Sequence, residues 1–214
     1  RALDGTCFQL SALFGPQHGF GGSTQDNMIE WEGYRHPQLG IPVHSLYGKH
    51  REPTRVMLEP LDALIVDLMD VGSRYYTFIW TLFLCMKACQ DQEIPVLVCD
   101  RPNPINGIDI EGDPQDPHYL SFVGLHPIPI RHAKTIGELA TLFKAEKFSN
   151  LELHVLPMDG WERHQWWDET GLPWVMPSPN MPSLDTAIVY PGMCLLEGTN
   201  LSEGRGTTRP FEIF

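Results

Sequence analysis

The residues best suited to chemistry lie together near the end of the sequence, in residues 195–211 (LLEGTNLSEGRGTTRPF). This segment holds two carboxylates, Glu197 and Glu203, the guanidinium of Arg205, and several glycines and small hydroxyl side chains. Glycine lets backbone approach a ligand closely, and arginine can hold a carboxylate through two parallel hydrogen bonds. The segment is therefore either a functional loop or a buried turn whose acids and arginine pair with one another.

Three further polar clusters each follow an apolar run of the kind that forms a buried strand. The runs are residues 8–14, 61–68 and 94–99, and the clusters that follow them are residues 16–26, 70–76 and 100–104. The candidate side chains in these clusters are Gln17, His18, Asp26, Asp70, Arg74, Tyr75, Arg101 and Asn103. In an open parallel α/β sheet, ligands bind beyond the carboxyl ends of the strands. We therefore expect the three clusters to share one pocket.

Asp70 and Arg74 stand four residues apart, directly beyond the second apolar run. Charges beside a buried strand are tolerated when they are paired or when they face a wet cleft. We therefore expect Asp70 to hold Arg74 at the strand end, with both side chains facing the ligand. For His18 two interpretations stay open: a ligand-binding side chain, or a histidine that satisfies a carbonyl of its turn.

The elements that must position these side chains have clear patterns. Residues 61–99 predict a strand, a helix over 77–90 and a second strand, which is a right-handed βαβ unit of a parallel sheet. A further helix is predicted over 135–147, with Thr135 as N-cap and Glu138 completing a capping box. The weaker patterns predict strands at 42–47 and 151–156, a short polar helix at 161–170 and an extended loop at 173–182. The predicted fold class is α/β, a Rossmann-like parallel sheet flanked by helices.

The bulk composition limits the partners of the chain. A net charge of −12 and a pI near 5.1 argue against nucleic acid, because phosphate binding needs clustered Lys and Arg. No apolar run approaches the ~18 residues of a membrane span. The five cysteines lack the paired spacing of a zinc site, and the phosphate-binding glycine motifs are missing from the sequence. We expect no metal, no cofactor, no nucleic acid and no membrane span.

Seven stretches of the sequence are similar to one known family. They are LFGPQHGF (13–20), DVGSRYYTFIWTL (70–82), DRPNP (100–104), PIPIRH (127–132), TIGELA (135–140), PWVMPSPNMPSLDTAIVYPG (173–192) and LLEGTNLSEGRGTTRPFE (195–212). With these motifs the chain resembles the exo-β-N-acetylmuramidases, long catalogued as a domain of unknown function. The resemblance implies that residues 1–214 are a Rossmann-like N-terminal domain, incomplete at both ends, with a smaller C-terminal auxiliary domain largely absent.

The resemblance also implies an activity, the release of N-acetylmuramic acid from the non-reducing ends of peptidoglycan fragments. A glycosidase usually places two carboxyl groups about the scissile bond. The catalytic candidates are Gln17, Asp70, Glu197, Glu203 and, by resemblance, Tyr190. Asn180, Asn200 and Arg205 join the candidates for substrate binding. The lactyl carboxylate of muramic acid would be held by Arg74, Arg101 or Arg205.

One position departs from the family pattern. The family has a glutamate, a candidate catalytic acid, where this chain has Gln17, and an amide cannot donate a proton as a general acid. Asp26, Glu30 or the pair of Glu197 and Glu203 would then supply the acid. Alternatively, the chain is a muropeptide- or sugar-binding protein that kept the pocket and lost the chemistry. A different α/β hydrolase or transferase acting at the same strand ends is a third hypothesis.

Overall fold

A computed structural model describes residues 8–24 and 30–214. The strands in these ranges are β1 (Leu13–Gly15), β2 (Tyr34–Arg35), β3 (Pro42–Ser45), β4 (Leu64–Val66), β5 (Val96–Cys99) and β6 (Leu153–Leu156). The helices are α1 (Arg55–Leu58), α2 (Phe78–Asp91), α3 (Ile136–Glu146) and α4 (Leu184–Met193). Short 3₁₀ turns occupy Pro117–Tyr119, Trp167–Thr170 and Cys194–Gly198.

The strands form two three-stranded sheets. In the first, β3 lies between β1 and β2, parallel to β1 and antiparallel to β2. In the second, β5 lies between β4 and β6, and all three strands are parallel. The strands β4 and β5 are joined through α2, as predicted for a βαβ unit. The predicted class, an α/β fold with a parallel sheet flanked by helices, is confirmed.

Two helices build the larger core against the parallel sheet. Trp80 of α2 and Phe143 of α3 are fully buried, and their ring centroids lie 5.9 Å apart. The buried alternate residues of β5, Val96 and Val98, belong to the same cluster. Burial of side chains of this size is the dominant favourable term in folding, and it fixes the sheet edge from which the site loops emerge.

The start of α3 is fixed by two sets of polar contacts. Thr135 Oγ1 accepts the backbone N–H of Glu138, and a carboxylate oxygen of Glu138 accepts the N–H of Thr135 at 3.0 Å, so the predicted capping box is confirmed. Asp100, at the end of β5, accepts the Thr135 hydroxyl at 3.0 Å and the N–H of Gly137 at 2.8 Å. A Cβ at Gly137 would lie 2.7 Å from the Asp100 carboxyl carbon, so the hydrogen bond from the N–H of Gly137 to Asp100 requires glycine at this position.

Several predicted elements are shorter in the structure. The run at 8–14 is not a buried strand, since β1 begins at Leu13 and Phe8 is 70% exposed. The strand predicted at 61–68 is shorter in the structure, where only β4 is a strand and Ile65 is 48% exposed. The polar helix at 161–170 narrows to the 3₁₀ turn at Trp167–Thr170. An apolar run predicts burial but does not show where strand pairing begins and ends. Among the described residues, no helix combines the length and the apolar character needed to cross a membrane.

Candidate active site

A cavity of about 260 Å³ lies between the loop after β1, the segment leading into α2, and the chain from α4 onward. Seven predicted site residues line it: Gln17, His18, Tyr75, Asn180, Tyr190, Glu197 and Arg205. The other lining residues are Tyr47, Tyr76, Thr77, Phe122, Val123, Ser178, Met181, Cys194, Leu195 and Phe211. Aromatic and aliphatic surface is thus combined with a small number of hydrogen-bonding groups, as in sites for small ligands.

Gln17 is held in place from the neighbouring loop. It lies two residues beyond β1 and is buried. Its Oε1 accepts a hydrogen bond from the Thr77 hydroxyl at 2.7 Å, and Thr77 immediately precedes α2. Gln17 of the first cluster and Tyr75 of the second cluster both line the cavity, and Thr77, at the start of α2, fixes the side-chain amide of Gln17.

His18 is buried in the cavity wall with a left-handed backbone, φ 70°. Its Nδ1 lies 2.9 Å from the carbonyl oxygen of Thr24, so Nδ1–H donates to that carbonyl. Burial is the main cause of a lowered pKa, and the positive charge of Arg205 lowers the pKa further. His18 therefore satisfies a turn carbonyl, as in the second interpretation. It also lines the cavity, and ligand binding by His18 stays a prediction.

Acidification is expected to destabilise the protein in part through His18. Its pKa in the folded protein lies below the ordinary value of 6.5, so the unfolded chain binds the proton first. Stability is therefore lost as the pH falls below about 6.5. His18→Asn removes this titration with a residue that tolerates positive φ, and its Tm should depend less steeply on pH between 7 and 5. Calorimetric scans measure both slopes, and equal slopes would contradict the expectation.

Arg205 lies between two carboxylates. Its Nη2 donates to Glu197 Oε1 at 2.6 Å, and its Nη1 lies 3.2 Å from Glu203 Oε1. The guanidinium carbon stands 5.1 Å from the centre of the Phe211 ring. Gly204 gives the turn its positive φ of 78°. The acids and the arginine pair with one another as expected for the turn, but most residues of the segment are exposed, so the turn is not buried. Glu197 and Arg205 line the cavity, and the functional loop stays a prediction.

Tyr190 of α4 closes one side of the cavity. Its ring makes edge-on contacts with Phe211, at 4.8 Å between centroids, and with Tyr76, at 6.1 Å. Its hydroxyl is hydrogen-bonded to Cys194, whose thiol donates to Glu197 Oε1 at 3.5 Å. Burial raises the pKa of Tyr190 well above 10 and that of Cys194 to about 12. Both groups therefore keep their protons at neutral pH and act as hydrogen-bonding groups.

The predicted pair of Asp70 and Arg74 is wrong. Asp70 Oδ2 lies 3.2 Å from His132 Nε2 and accepts the backbone N–H of Gly72 at 2.8 Å. Arg74 Nη1 instead donates to the carbonyl of Ile128 at 2.6 Å. The left-handed backbone of Gly72, φ 82°, turns the chain between the two charges, so their spacing does not bring them together. Neither Asp70 nor Arg74 is among the residues that line the cavity.

The remaining predicted residues lie elsewhere. Arg101 pairs with Asp67 beside a second cavity. Asn103 is buried and hydrogen-bonds two backbone groups. The prediction that the third cluster shares the first cavity is therefore wrong, because neither Arg101 nor Asn103 lines it. Asn200 is exposed in the loop after the last 3₁₀ turn. Asp26 falls within residues 25–29, outside the described part of the chain.

Thr77 and the turn that carries Phe122 and Val123 line the cavity, although none of these residues is among the predicted site residues. Thr77 is the first residue of the helix predicted over 77–90, and the signal for its role is its position at a helix start beside a polar cluster. Phe122 and Val123 come from a tight turn closed by paired backbone groups of Ser121 and Gly124. No periodic pattern marks this turn in the sequence. Its place depends on distant contacts, such as the ring of Phe122 5.9 Å from that of Tyr47.

The fold is that of an α/β protein with a cavity beside the loops that follow its strands. Two family models match the sequence: Exo-beta-N-acetylmuramidase NamZ, N-terminal, over residues 2–185, and Exo-beta-N-acetylmuramidase NamZ, C-terminal, over residues 188–214. The chain belongs to the exo-β-N-acetylmuramidase NamZ family. Gln17 and His18 fall in the first matched region, whereas Tyr190, Glu197 and Arg205 fall in the second.

Individual relatives agree with this assignment. The chain is 50% identical over 205 residues to the peptidoglycan β-N-acetylmuramidase NamZ of Bacillus subtilis (strain 168), covering 96% of this chain and 49% of that protein. Crystal structures of two DUF1343 family proteins from Bacteroides fragilis superpose with TM-scores of 0.84 and 0.79, at 39% and 37% identity. Each covers 95% of this chain, which covers 52% and 53% of theirs. The chain therefore spans about half the length of these relatives.

Proposed function

We propose that the protein is a glycoside hydrolase that releases N-acetylmuramic acid from the non-reducing ends of peptidoglycan fragments. The proposal rests on 50% identity with a peptidoglycan β-N-acetylmuramidase. It is supported by a cavity lined by residues from distant motifs, namely Gln17, Tyr190, Glu197 and Arg205. The identity with this relative supports the enzyme class, a glycoside hydrolase, and we propose in addition that the protein acts from the chain end and releases muramic acid.

Glu197 is the residue we assign to charge stabilisation. Cleavage of a glycosidic bond develops positive charge at the anomeric carbon, and a nearby carboxylate lowers the free energy of that transition state. Arg205 and Cys194 both donate to Glu197 Oε1, which fixes the orientation of the carboxylate in the cavity wall. Tyr190 and Thr77 supply hydroxyl groups around the same space.

Gln17 supports a second candidate function, the binding of a muramyl sugar without hydrolysis. Its amide accepts the Thr77 hydroxyl and offers hydrogen bonds to a sugar, but it provides no acidic proton. In that case the cavity would bind the muramyl sugar saturably and would not hydrolyse it. Calorimetry with N-acetylmuramic acid, run beside an assay of its release from a muramyl glycoside, separates the two functions.

Glu197→Gln is expected to reduce release of N-acetylmuramic acid by roughly 10²–10³-fold, because a neutral amide of the same shape loses the stabilising charge. Glu203→Gln is the matched control, since Glu203 also pairs with Arg205 but is not part of the cavity lining. Its rate should fall by less than about tenfold. Rates are measured with a coupled assay for free N-acetylmuramic acid. Equal losses in the two variants would refute the assigned role of Glu197.

A further inference from the structure

A second cavity, of about 420 Å³, lies at the carboxyl ends of three strands. The chain leaving β1 reaches it through Pro16 and residues 19–22, the chain leaving β4 through Asp67, and the chain leaving β5 through Arg101. This is the edge at which open α/β sheets bind ligands. The hydrolysis proposed above does not account for this cavity.

The two cavities share a wall. In the loop after β1, Gln17 and His18 line the first cavity while Pro16 and Gly19 line the second. The proline-rich loop is divided in the same way, with Ser178 on the first cavity and its neighbour Pro177 on the second. A ligand that passes over these two loops would therefore occupy both cavities.

The second cavity combines a cation with apolar surface. Arg101 Nε donates to Asp67 Oδ1 at 2.5 Å, and the Arg101 side chain is 41% exposed, so the guanidinium edge with the terminal amino groups can meet a ligand. Phe20, Val175 and Met176 add exposed apolar surface. A planar guanidinium is suited to carboxylates, and flat or aliphatic side chains are suited to the faces of sugar rings.

A buried indole forms part of the wall of the second cavity. Trp167 lines this cavity and is 5% exposed, and its indole N–H meets no hydrogen-bond acceptor in the described parts of the chain. A buried N–H is normally satisfied by a partner. The indole nitrogen of Trp167 is itself shielded from solvent, so the donor that the lining exposes to a ligand is the guanidinium of Arg101.

We infer that the second cavity binds the leaving-group end of the glycan, with Arg101 holding the carboxylate of an acidic amino sugar beyond the cleaved bond. This inference rests on the proposed function, because the sugar to be released would occupy the first cavity. Asp67 takes the Nε side of Arg101, so a sugar carboxylate would bind on the other edge of the guanidinium. The length of the glycan then sets the affinity.

Calorimetry on the Glu197→Gln background, which limits cleavage, compares N-acetylmuramic acid with a peptidoglycan tetrasaccharide. We expect the tetrasaccharide to bind at least tenfold more tightly. Arg101→Gln should weaken tetrasaccharide binding about tenfold and monosaccharide binding less than twofold. Lys87→Gln is the matched control, because Lys87 is a similarly exposed cation paired with Glu52, and it should change neither affinity.

Met176→Ser changes the apolar surface of the second cavity without disturbing the ion pair of Arg101 and Asp67, and its affinities for the two ligands are measured in the same way. Thermal melts confirm that each variant is folded. Equal affinities for the two ligands, or equal losses for both ligands in Arg101→Gln, would overturn the inference. The proposed function is read out separately, as release of N-acetylmuramic acid from a short aryl glycoside by the unmodified protein. Release without any effect of glycan length rejects only the second cavity, whereas length-dependent binding without release rejects only hydrolysis.

Discussion

Gln17→Glu is expected to raise the rate of N-acetylmuramic acid release by about 100-fold or more. General acid catalysis contributes roughly 10²–10⁴-fold, and the substitution places a carboxyl group on the cavity wall. Residue 17 is buried, which favours the protonated form that an acid requires, while the Thr77 hydroxyl fixes the orientation of the side chain. The coupled assay for free N-acetylmuramic acid measures the gain.

Gln9→Glu is the control for Gln17→Glu, because it makes the same chemical change at an exposed position outside the cavity. Its rate should equal that of the unmodified protein. A folded Gln17→Glu variant with an unchanged rate would mean that residue 17 is not the missing acid. Saturable sugar binding without turnover in every variant would then favour the binding protein.

His132→Ala is expected to lower the free energy of unfolding by about 3–5 kcal/mol, because it removes a fully buried side chain and leaves the buried Asp70 carboxyl group without its side-chain partner. The side chains of His132 and Asp70 are 0% and 5% exposed. His132 Nδ1 accepts the N–H of Lys134 at 3.2 Å, and His132 Nε2 lies 3.2 Å from Asp70 Oδ2. For a chain of this size, Tm should fall by roughly 6–20 °C in a thermal melt.

Two comparisons identify the cause of the His132→Ala effect. His154→Ala removes a histidine from an exposed pair with Glu152, and stability should change by less than about 0.5 kcal/mol. Adding Asp70→Asn to His132→Ala should recover part of the loss, because no buried charge is then left unpaired. A double variant no more stable than His132→Ala would show that lost packing, and not charge, sets the cost.

The helices that frame the site could be predicted because their signals are local. The capping box of Thr135 and Glu138 and the apolar face of α2 are each contained within a few turns of sequence. The strand bounds could not be predicted in the same way. Strand pairing depends on partners far along the chain, as when Val96 pairs with both Leu64 and Leu153.

The sequence predicted which residues line the candidate site better than it predicted which residues contact one another. Gln17, Glu197 and Arg205 stand out by type and setting, and the structure places them around one cavity. The partner of Arg74 is a carbonyl 54 residues away, and that of Asp70 is a histidine 62 residues away by number, so spacing could not reveal either. The left-handed backbone of Gly72 separates Asp70 from Arg74, whereas a helix would have placed two residues at this spacing on the same face.

The cavity and the larger core are built from different parts of the chain. The buried members of that core lie between Leu46 and Leu151, so the sheet and its two packed helices are complete before α4 begins. The acid and the cation of the cavity come from the last 27 residues, where Phe211 is buried against Tyr190. A chain ending before residue 188 would therefore keep every buried member of this core, but it would lose Tyr190 and Phe211 from the second core and the acid and the cation from the cavity.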